Sequence, residues 1–301
     1  MSLFLTIFVG CDPKLIIPST NNKKIQDKGL MIMTTNYLLY GMANSIVKDI
    51  NSVEYMFKEE QDQWNFTFTN DSVSNVSKKD IFIYTGGSFE PWIGDFVGAL
   101  NKSRVSILNV SRGTKIISRN EPVNFVYKNR EQQISDNPYY WLDVSKYKTA
   151  FFNIAKAIED KDPKNKSYYE KNFHANIKEV NSYNKKLKAI HKELKDYTFV
   201  VQGDDLDYFT RYLGLRTIKI PKAFDYQLES KDMVKNIETK AYDQDKLVFL
   251  YDNDNSLKNN QIFINEFKMK SSKIYVYDYQ KTYVDILKAN CESLGKIATS
   301  K

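Results

Sequence analysis

The stretch KNKSYYEKNFHANIKEVNSYNKKLKAIHKELK, residues 164–195, divides the chain into two halves. Apolar side chains recur along it at helical spacing, and charged side chains fill most of the other positions. No glycine interrupts it. At ~1.5 Å per residue, a helix of this length would extend roughly 45 Å, enough to run the length of a two-lobed molecule. The stretch therefore predicts a rigid helical connection and not a flexible linker.

On both sides of that stretch, β-prone apolar runs alternate with helical patterns. The runs are at residues 30–35, 53–57, 80–86 and 105–110 before it, and at 197–201, 217–221, 246–251 and 273–278 after it. The clearest helical patterns outside the long stretch are at residues 144–160, 230–241, 256–268 and from 282 onward. Near-continuous apolar strands separated by helices are typical of parallel sheets that are covered on both faces.

These patterns predict an α/β protein with two lobes. We expect each lobe to hold a mainly parallel sheet flanked by helices, one at residues 29–160 and the other at 196–301. One long rigid helix, within residues 161–195, bridges them. A ligand cleft is expected between the lobes, because ligands of open α/β sheets bind beyond the carboxyl ends of the strands.

Composition narrows the class of protein. The chain has 301 residues, 42% of them hydrophobic, which is typical of a folded globular protein. Its net charge of +7 comes from lysines scattered among acidic residues. We therefore expect a solvated surface and no nucleic-acid partner. Two cysteines cannot form a disulfide framework.

Cys11 ends the short apolar run LFLTIFVGC, residues 3–11, and a polar segment follows it. This resembles the end of a bacterial lipoprotein signal, in which the cysteine is lipidated and becomes the mature N-terminus. The run lacks the basic residues that usually precede it. We interpret residues 1–28 as a signal remnant and tether. The expected location is extracytoplasmic, with the protein lipid-anchored to the cell membrane through Cys11.

Four segments resemble the metal-specific solute-binding proteins of bacterial ABC transporters, which capture zinc or manganese. They are residues 30–46 (LMIMTTNYLLYGMANSI), 80–92 (DIFIYTGGSFEPW), 138–143 (PYYWLD) and 207–215 (DYFTRYLGL). The resemblance implies the solute-binding component of an ABC importer that works with permease and ATPase subunits. It also implies one divalent metal ion as the ancestral cargo, of unknown identity here. No nucleophile with a nearby base is visible, so we do not expect an enzyme.

The family's usual metal ligands, three histidines and one carboxylate, are not retained. The resemblance puts the histidine positions at Trp64, Tyr139 and Gly203, and the carboxylate position at Tyr251 or Asp252. The only two histidines of the chain, His174 and His191, both lie in the long helical stretch. The cleft chemistry is therefore expected to differ from that of the family.

Three alternatives follow from this loss. The first is an oxygen-ligated cation at Asp204 or Asp205 together with Asp252 and Asp254, with Gln202 and the Tyr139 hydroxyl nearby, since carboxylates suit harder cations. For Asp204 and Asp205, capping a helix is as well supported by the sequence as binding a cation. The second is an organic solute stacked on aromatic faces, the candidates being Trp64, Tyr139, Tyr140 and Tyr251. The third is a surface adhesion or structural lipoprotein that retains only the fold.

Overall fold

The structure is a computed structural model that describes residues 29–64, 66–224, 235–237, 239–241 and 243–299. The expected tether, with Cys11, lies outside these residues, and so does much of the predicted helix at 230–241. Among the described helices, none is both long and apolar enough to cross a membrane.

The first half contains a four-stranded parallel sheet in the order β2-β1-β3-β4. Its strands are β1 (Met31–Asn36), β2 (Ser52–Phe57), β3 (Ile81–Tyr84) and β4 (Ser106–Asn109). The connecting helices are α1 (Tyr37–Val47), α2 (Glu60–Trp64), α3 (Asn70–Ser77) and α4 (Ile93–Leu100). The central strands β1 and β3 are almost wholly buried, which explains why their sequences are continuous apolar runs instead of alternating ones.

An antiparallel hairpin follows this sheet, and the sequence patterns did not predict it. It consists of β5 (Ser118–Tyr127) and β6 (Arg130–Asp136). Lys128 and Asn129 form its tip with positive φ angles of 50° and 59°, the conformation of a tight two-residue hairpin turn. Because the hairpin is largely exposed and polar, it carries little of the apolar signal that marks a buried strand.

Two consecutive helices then form the connection between the halves. Helix α5 (Val144–Lys161) begins after Asp143, whose side chain accepts a hydrogen bond from the Ser145 N–H and so caps the helix as predicted. After a break at Pro163, helix α6 (Lys166–Glu193) runs without interruption for 28 residues. The predicted long helix is thus confirmed within two residues at each end.

The second half contains another four-stranded parallel sheet, in the order β10-β9-β7-β8. Its strands are β7 (Thr198–Gln202), β8 (Thr217–Ile220), β9 (Leu247–Tyr251) and β10 (Lys270–Lys273). The helices are α7 (Asp207–Leu213), α8 (Asp254–Asn259), α9 (Gln261–Glu266) and α10 (Tyr283–Thr299). The sheets and the connecting helix confirm the expected α/β fold, while the limits proposed for the domains stay a prediction.

Two predicted elements of this half were wrong in detail. The last strand is β10, so the predicted strand at 273–278 is displaced. Ile274 and Val276 are buried in the core. The Ile274 N–H donates to the Tyr251 carbonyl of β9 at 2.8 Å, one residue beyond the end of β10. The predicted helix at 256–268 is instead the pair α8 and α9, separated at Asn260. The Asn260 side-chain amide donates to Gln202 Oε1 at 3.0 Å, which fixes the break against β7.

One apolar cluster connects the two halves. It combines buried side chains of both sheets with those of α1, α5, α6 and α10, examples being Ile32, Phe151, Val180, Val201 and Leu287. Smaller clusters lie on the outer face of each sheet. The core therefore lies across the junction between the halves and along α6, directly behind the cleft.

Candidate functional site

A cavity of about 590 Å³ opens where the two halves face each other. Its walls come from five loops of the two halves, each of which follows a strand. The lining residues are Glu59, Tyr139, Asp205, Asp252, Asn253, Val276 and Tyr277. The cavity is therefore at the carboxyl ends of the parallel strands, where the fold predicts a ligand.

Tyr139 forms an aromatic wall of this cavity. Its ring packs edge-to-face against Trp141 and Phe89, with centroid distances of 5.6 Å and 6.3 Å. Its backbone N–H donates to Asn137 Oδ1 at 3.1 Å. The ring is 8% exposed, so packing fixes it in place with only an edge on the cavity.

Arg119, at the start of β5, reaches over the Tyr139 ring. The guanidinium carbon lies 5.6 Å from the ring centroid, which is cation–π distance. Its Nη1 donates to Asp205 Oδ1 at 2.6 Å, and its Nε donates to the Asp136 carbonyl oxygen at 3.2 Å. Burial disfavours the charge, but the Asp205 carboxylate outweighs it and raises the pKa of Arg119. The guanidinium is a permanent, buried cation.

Asp205 is the acidic partner in this contact. Its side chain is 18% exposed, and its second oxygen lies 3.6 Å from Lys222 Nζ. Two cations therefore share one carboxylate. The sequence analysis did not identify Arg119 as a site residue. Arg119 and Asp205 are 86 positions apart, so their contact leaves no local sequence signal.

Asp204 points away from the cavity and joins the halves. Its carboxylate accepts from Lys219 Nζ at 2.6 Å, from the Glu121 N–H at 2.9 Å and from Asn120 Nδ2 at 3.2 Å. It is 2% exposed. Burial acts against its charge, but the hydrogen bonds from Lys219 and Glu121 outweigh burial and lower its pKa. The Asp204 carboxylate therefore stabilises the contact between the loop after β7 and the hairpin.

Asp252 lies half-buried on the cavity wall, directly after β9. Its carboxylate accepts from Asn253 Nδ2 at 2.8 Å. Burial raises its pKa, and repulsion from Asp205 raises it further. Within the described part of the chain, no lysine or arginine forms an ion pair with Asp252. It differs in this from Asp204 and Asp205.

The remaining predicted site residues lie elsewhere. Gln202 uses its amide within the second half, where Nε2 donates to the Lys222 carbonyl and Oε1 accepts from Ser256 Oγ. Tyr251 packs beside the second sheet and borders a separate cavity of about 330 Å³ with Lys273. Neither side chain lines the cavity between the halves.

Two aromatic candidates are likewise placed in packing roles. Trp64 packs edge-to-face against Phe125 of the hairpin, with a centroid distance of 6.2 Å. Tyr140 is 1% exposed, and its hydroxyl donates to the Thr85 carbonyl oxygen at 2.9 Å. Of the four aromatic candidates, only Tyr139 reaches the cavity. The structure adds Tyr277, which the sequence patterns did not indicate because it was assigned to a strand.

Metal-ligand chemistry at this site is limited to oxygen. Among the residues that the structure describes, no group of three or more histidine, cysteine, aspartate and glutamate side chains is arranged to hold a metal ion. His174 is exposed on α6, and His191 is half-buried near its end. A cation in the cavity would be held by carboxylates with hydroxyl or carbonyl oxygens.

Comparison with known proteins identifies the family. The pattern of the family described as "Zinc-uptake complex component A periplasmic" matches residues 32–297. The chain is 23% identical over 275 residues to the high-affinity zinc uptake system protein ZnuA of Bacillus subtilis, covering 88% of this chain and 86% of that protein. It is 27% identical over 201 residues to the metal ABC transporter substrate-binding lipoprotein SloC of Streptococcus mutans, covering 65% and 60%.

A solved structure agrees on the fold. The metal-dependent lipoprotein YcdH from Bacillus subtilis superimposes with a TM-score of 0.72 at 20% identity, covering 89% of this chain and 98% of that one. The likeness extends over both sheets and the long helix between them. The chain belongs to the family of the periplasmic zinc-uptake complex component A.

Proposed function

We propose that this chain is the extracytoplasmic solute-binding component of an ABC importer and that its cargo is a divalent cation held by oxygen ligands. Permease and ATPase subunits are its partners in that role. The family is one of uptake components, so the expectation that the chain is not an enzyme is confirmed. The names of the relatives favour transport over the adhesion alternative.

The observation that carries the choice of cargo is the charge of Asp252. Arg119 and Lys222 balance Asp205, and Lys219 balances Asp204. Asp252 faces the same cavity partly desolvated, next to the negative Asp205, without such a partner among the described residues. A carboxylate in that position is stabilised by a cation. Its neighbour on the wall, Glu59, offers further carboxylate oxygens.

The chemistry of these ligands indicates the class of cation. Carboxylate, carbonyl and hydroxyl oxygens suit Mn²⁺, Ca²⁺ and Mg²⁺, whereas imidazole nitrogen is a preferred ligand of Zn²⁺. With no histidine on the cavity wall, the site favours the harder cations. The organic alternative has less support, because stacking would need Trp64 and Tyr139 on one cavity, and Trp64 packs on the hairpin.

Metal titration of two matched variants tests this function. Protein stripped with a chelator is titrated with Mn²⁺, Ca²⁺, Mg²⁺ and Zn²⁺, followed by metal analysis. We expect Asp252→Asn to weaken binding of the preferred cation by at least about tenfold, since it removes a ligand charge. Asp254→Asn is the control: that side chain is 80% exposed and pairs with Lys273 at 2.9 Å.

The control should bind as the wild type does. One tightly bound Zn²⁺ per chain, unaffected by Asp252→Asn, would contradict the proposal and place the site elsewhere.

We also propose that the protein is lipid-anchored at Cys11. The support is the apolar run that ends in Gly10-Cys11 and the description of relatives such as SloC as lipoproteins. One acyl chain binds membranes only weakly, so we expect two. Mass spectrometry of protein from its native membrane checks this. An unmodified Cys11, or a mature chain that retains residues 1–10, would disprove it.

A further inference from the structure

We propose that Arg119 is a resident cation behind the cavity wall, bonded to the wall residue Asp205, and that its charge excludes the cargo from Asp205. This makes Arg119 a residue that determines specificity. The inference rests on the proposed function, because it concerns which of the cavity carboxylates a cation can reach.

The position of the guanidinium supports this role. It lies over the ring of Tyr139 and bonds to Asp205. The family resemblance puts one histidine position at Tyr139 and another at Gly203, two residues before Asp205. The charge of Arg119 is therefore placed between the two segments that would supply metal-binding imidazoles. It comes from a third segment, β5 of the hairpin.

Displacing the Arg119 guanidinium from Asp205 would cost free energy, because several contacts hold it. Its side chain is 3% exposed, and it is fixed by the carboxylate of Asp205, the carbonyl of Asp136 and the face of the Tyr139 ring. Displacing it would leave a buried charge without a partner. A divalent cation that approached Asp205 would also meet a positive charge at hydrogen-bond distance, and like charges repel strongly where water is scarce.

Lys222 provides the contrast. It also approaches Asp205, at 3.6 Å, but its side chain is 64% exposed. It can swing into solvent and expose the carboxylate, whereas Arg119 cannot. The two basic residues therefore bring the same charge to the same acid and differ in how firmly they are held beside it.

The experiment removes each charge in turn. Arg119→Met keeps an apolar stem and frees Asp205 to act together with Asp252. We expect its affinity for Mn²⁺ to rise at least about tenfold over the wild type, and the gain to disappear in the double variant Arg119→Met with Asp205→Asn. Lys222→Met is the matched control, with an expected change of less than about fivefold. Arg119→Lys keeps a cation and should gain little.

Thermal unfolding with and without Mn²⁺ accompanies the titration. Arg119→Met should be less stable than the wild type without metal, and Mn²⁺ should restore it. An Arg119→Met protein that stays unfolded in excess Mn²⁺, one that binds no more tightly, or an equal gain in Lys222→Met, overturns the inference.

The two proposals fail separately. If the wild type binds no cation but Arg119→Met does so through Asp205, the proposed function fails and the exclusion by Arg119 stands. If the wild type binds through Asp252 and Arg119→Met shows no gain, the function stands and the exclusion fails.

Discussion

At the scale of single residues, the adjacent Asp204 and Asp205 make different contacts. Asp204 turns into the contact between β7 and the hairpin, while Asp205 turns toward the cavity and meets Arg119. The sequence analysis could not separate them, because both follow the same strand. What separates them is the position of Lys219 and of the hairpin backbone, which depends on tertiary packing.

Replacing Asp204 should destabilise the protein strongly. In Asp204→Asn, Lys219 loses one of its two carboxylates and the Glu121 N–H faces a weaker acceptor. We expect a loss of about 3 kcal/mol in the free energy of unfolding, the lower end of the range for breaking a buried pair. Urea denaturation measures it, with exposed Asp160→Asn as the control.

The same variant has a predicted pH dependence. The native contacts lower the pKa of Asp204, so its contribution is present above the ordinary aspartate pKa and is lost as the pH falls through the native value. The stability difference between wild type and Asp204→Asn should therefore shrink in acid. A difference that stayed constant down to acid denaturation would argue against a charged contact.

Cation binding should weaken with acid earlier than for an ordinary aspartate. Burial and the charge of Asp205 raise the pKa of Asp252, so protons compete with the cargo at pH values above the usual aspartate range. Affinity for Mn²⁺ measured over a pH series should fall as the pH falls through that raised pKa. The residual binding of Asp252→Asn should depend less on pH. Equal slopes for the two proteins would contradict this assignment.

At the scale of elements, α6 was the easiest feature to predict and is the main support of the fold. Its length and uninterrupted apolar stripe leave no other reasonable structure. The hairpin was missed because its exposed strands lack an apolar run, and the last strand was displaced because β10 reads KSSK, residues 270–273. The apolar residues after it lie in a buried core segment that leaves the sheet once the Ile274 N–H has bonded to β9. Burial alone therefore does not distinguish a strand from an irregular buried chain.

The candidate site was indicated only where the family resemblance supplied a ligand position. It pointed to Tyr139 and to the neighbourhoods of Asp205 and Asp252, and the structure places all three on the cavity wall. Their role as ligands stays a prediction. Arg119 and Tyr277 were not indicated. Arg119 meets Asp205 from the hairpin, which was not predicted, and Tyr277 lines the cavity from a segment that was assigned to a strand.

Truncating the buried face of α6 tests its structural role. Leu187 is 1% exposed within the cluster shared by the halves. We expect Leu187→Ala to lower the free energy of unfolding by about 2–5 kcal/mol, from lost burial and the cavity that remains. Lys185→Ala, at an exposed position of the same helix, should change it by less than about 0.5 kcal/mol. Similar losses in both would mean that helix propensity, not packing, is being measured.

At the scale of the whole molecule, several hydrogen bonds hold the halves together. The Trp141 Nε1–H donates to the Val276 carbonyl oxygen, and the Ile117 N–H donates to the Tyr208 hydroxyl, both at 2.8 Å. The Tyr277 hydroxyl donates to the Lys58 carbonyl at the same distance. These contacts, with the rigid α6, favour small movements of the lobes.

X-ray scattering with and without the cation tests this rigidity. We expect the radius of gyration to change by no more than about 1 Å, as in binding proteins whose sites are already organised. The Asp204→Asn variant, which weakens the contact between the halves, should show the larger change. A marked contraction of the wild type on adding Mn²⁺ would show a hinge that the helix does not permit.

The shared apolar cluster also governs how the chain acquires its structure. Helix α10 contacts α1, and its Tyr283 ring stacks on Tyr147 of α5, so the first half cannot complete its core until the final helix is available. Two lobes that look separate in outline should therefore unfold as one cooperative unit, with a single heat-absorption peak whose calorimetric and van't Hoff enthalpies agree. A chain cut before residue 283 would remain a loosely packed intermediate, however complete its first sheet.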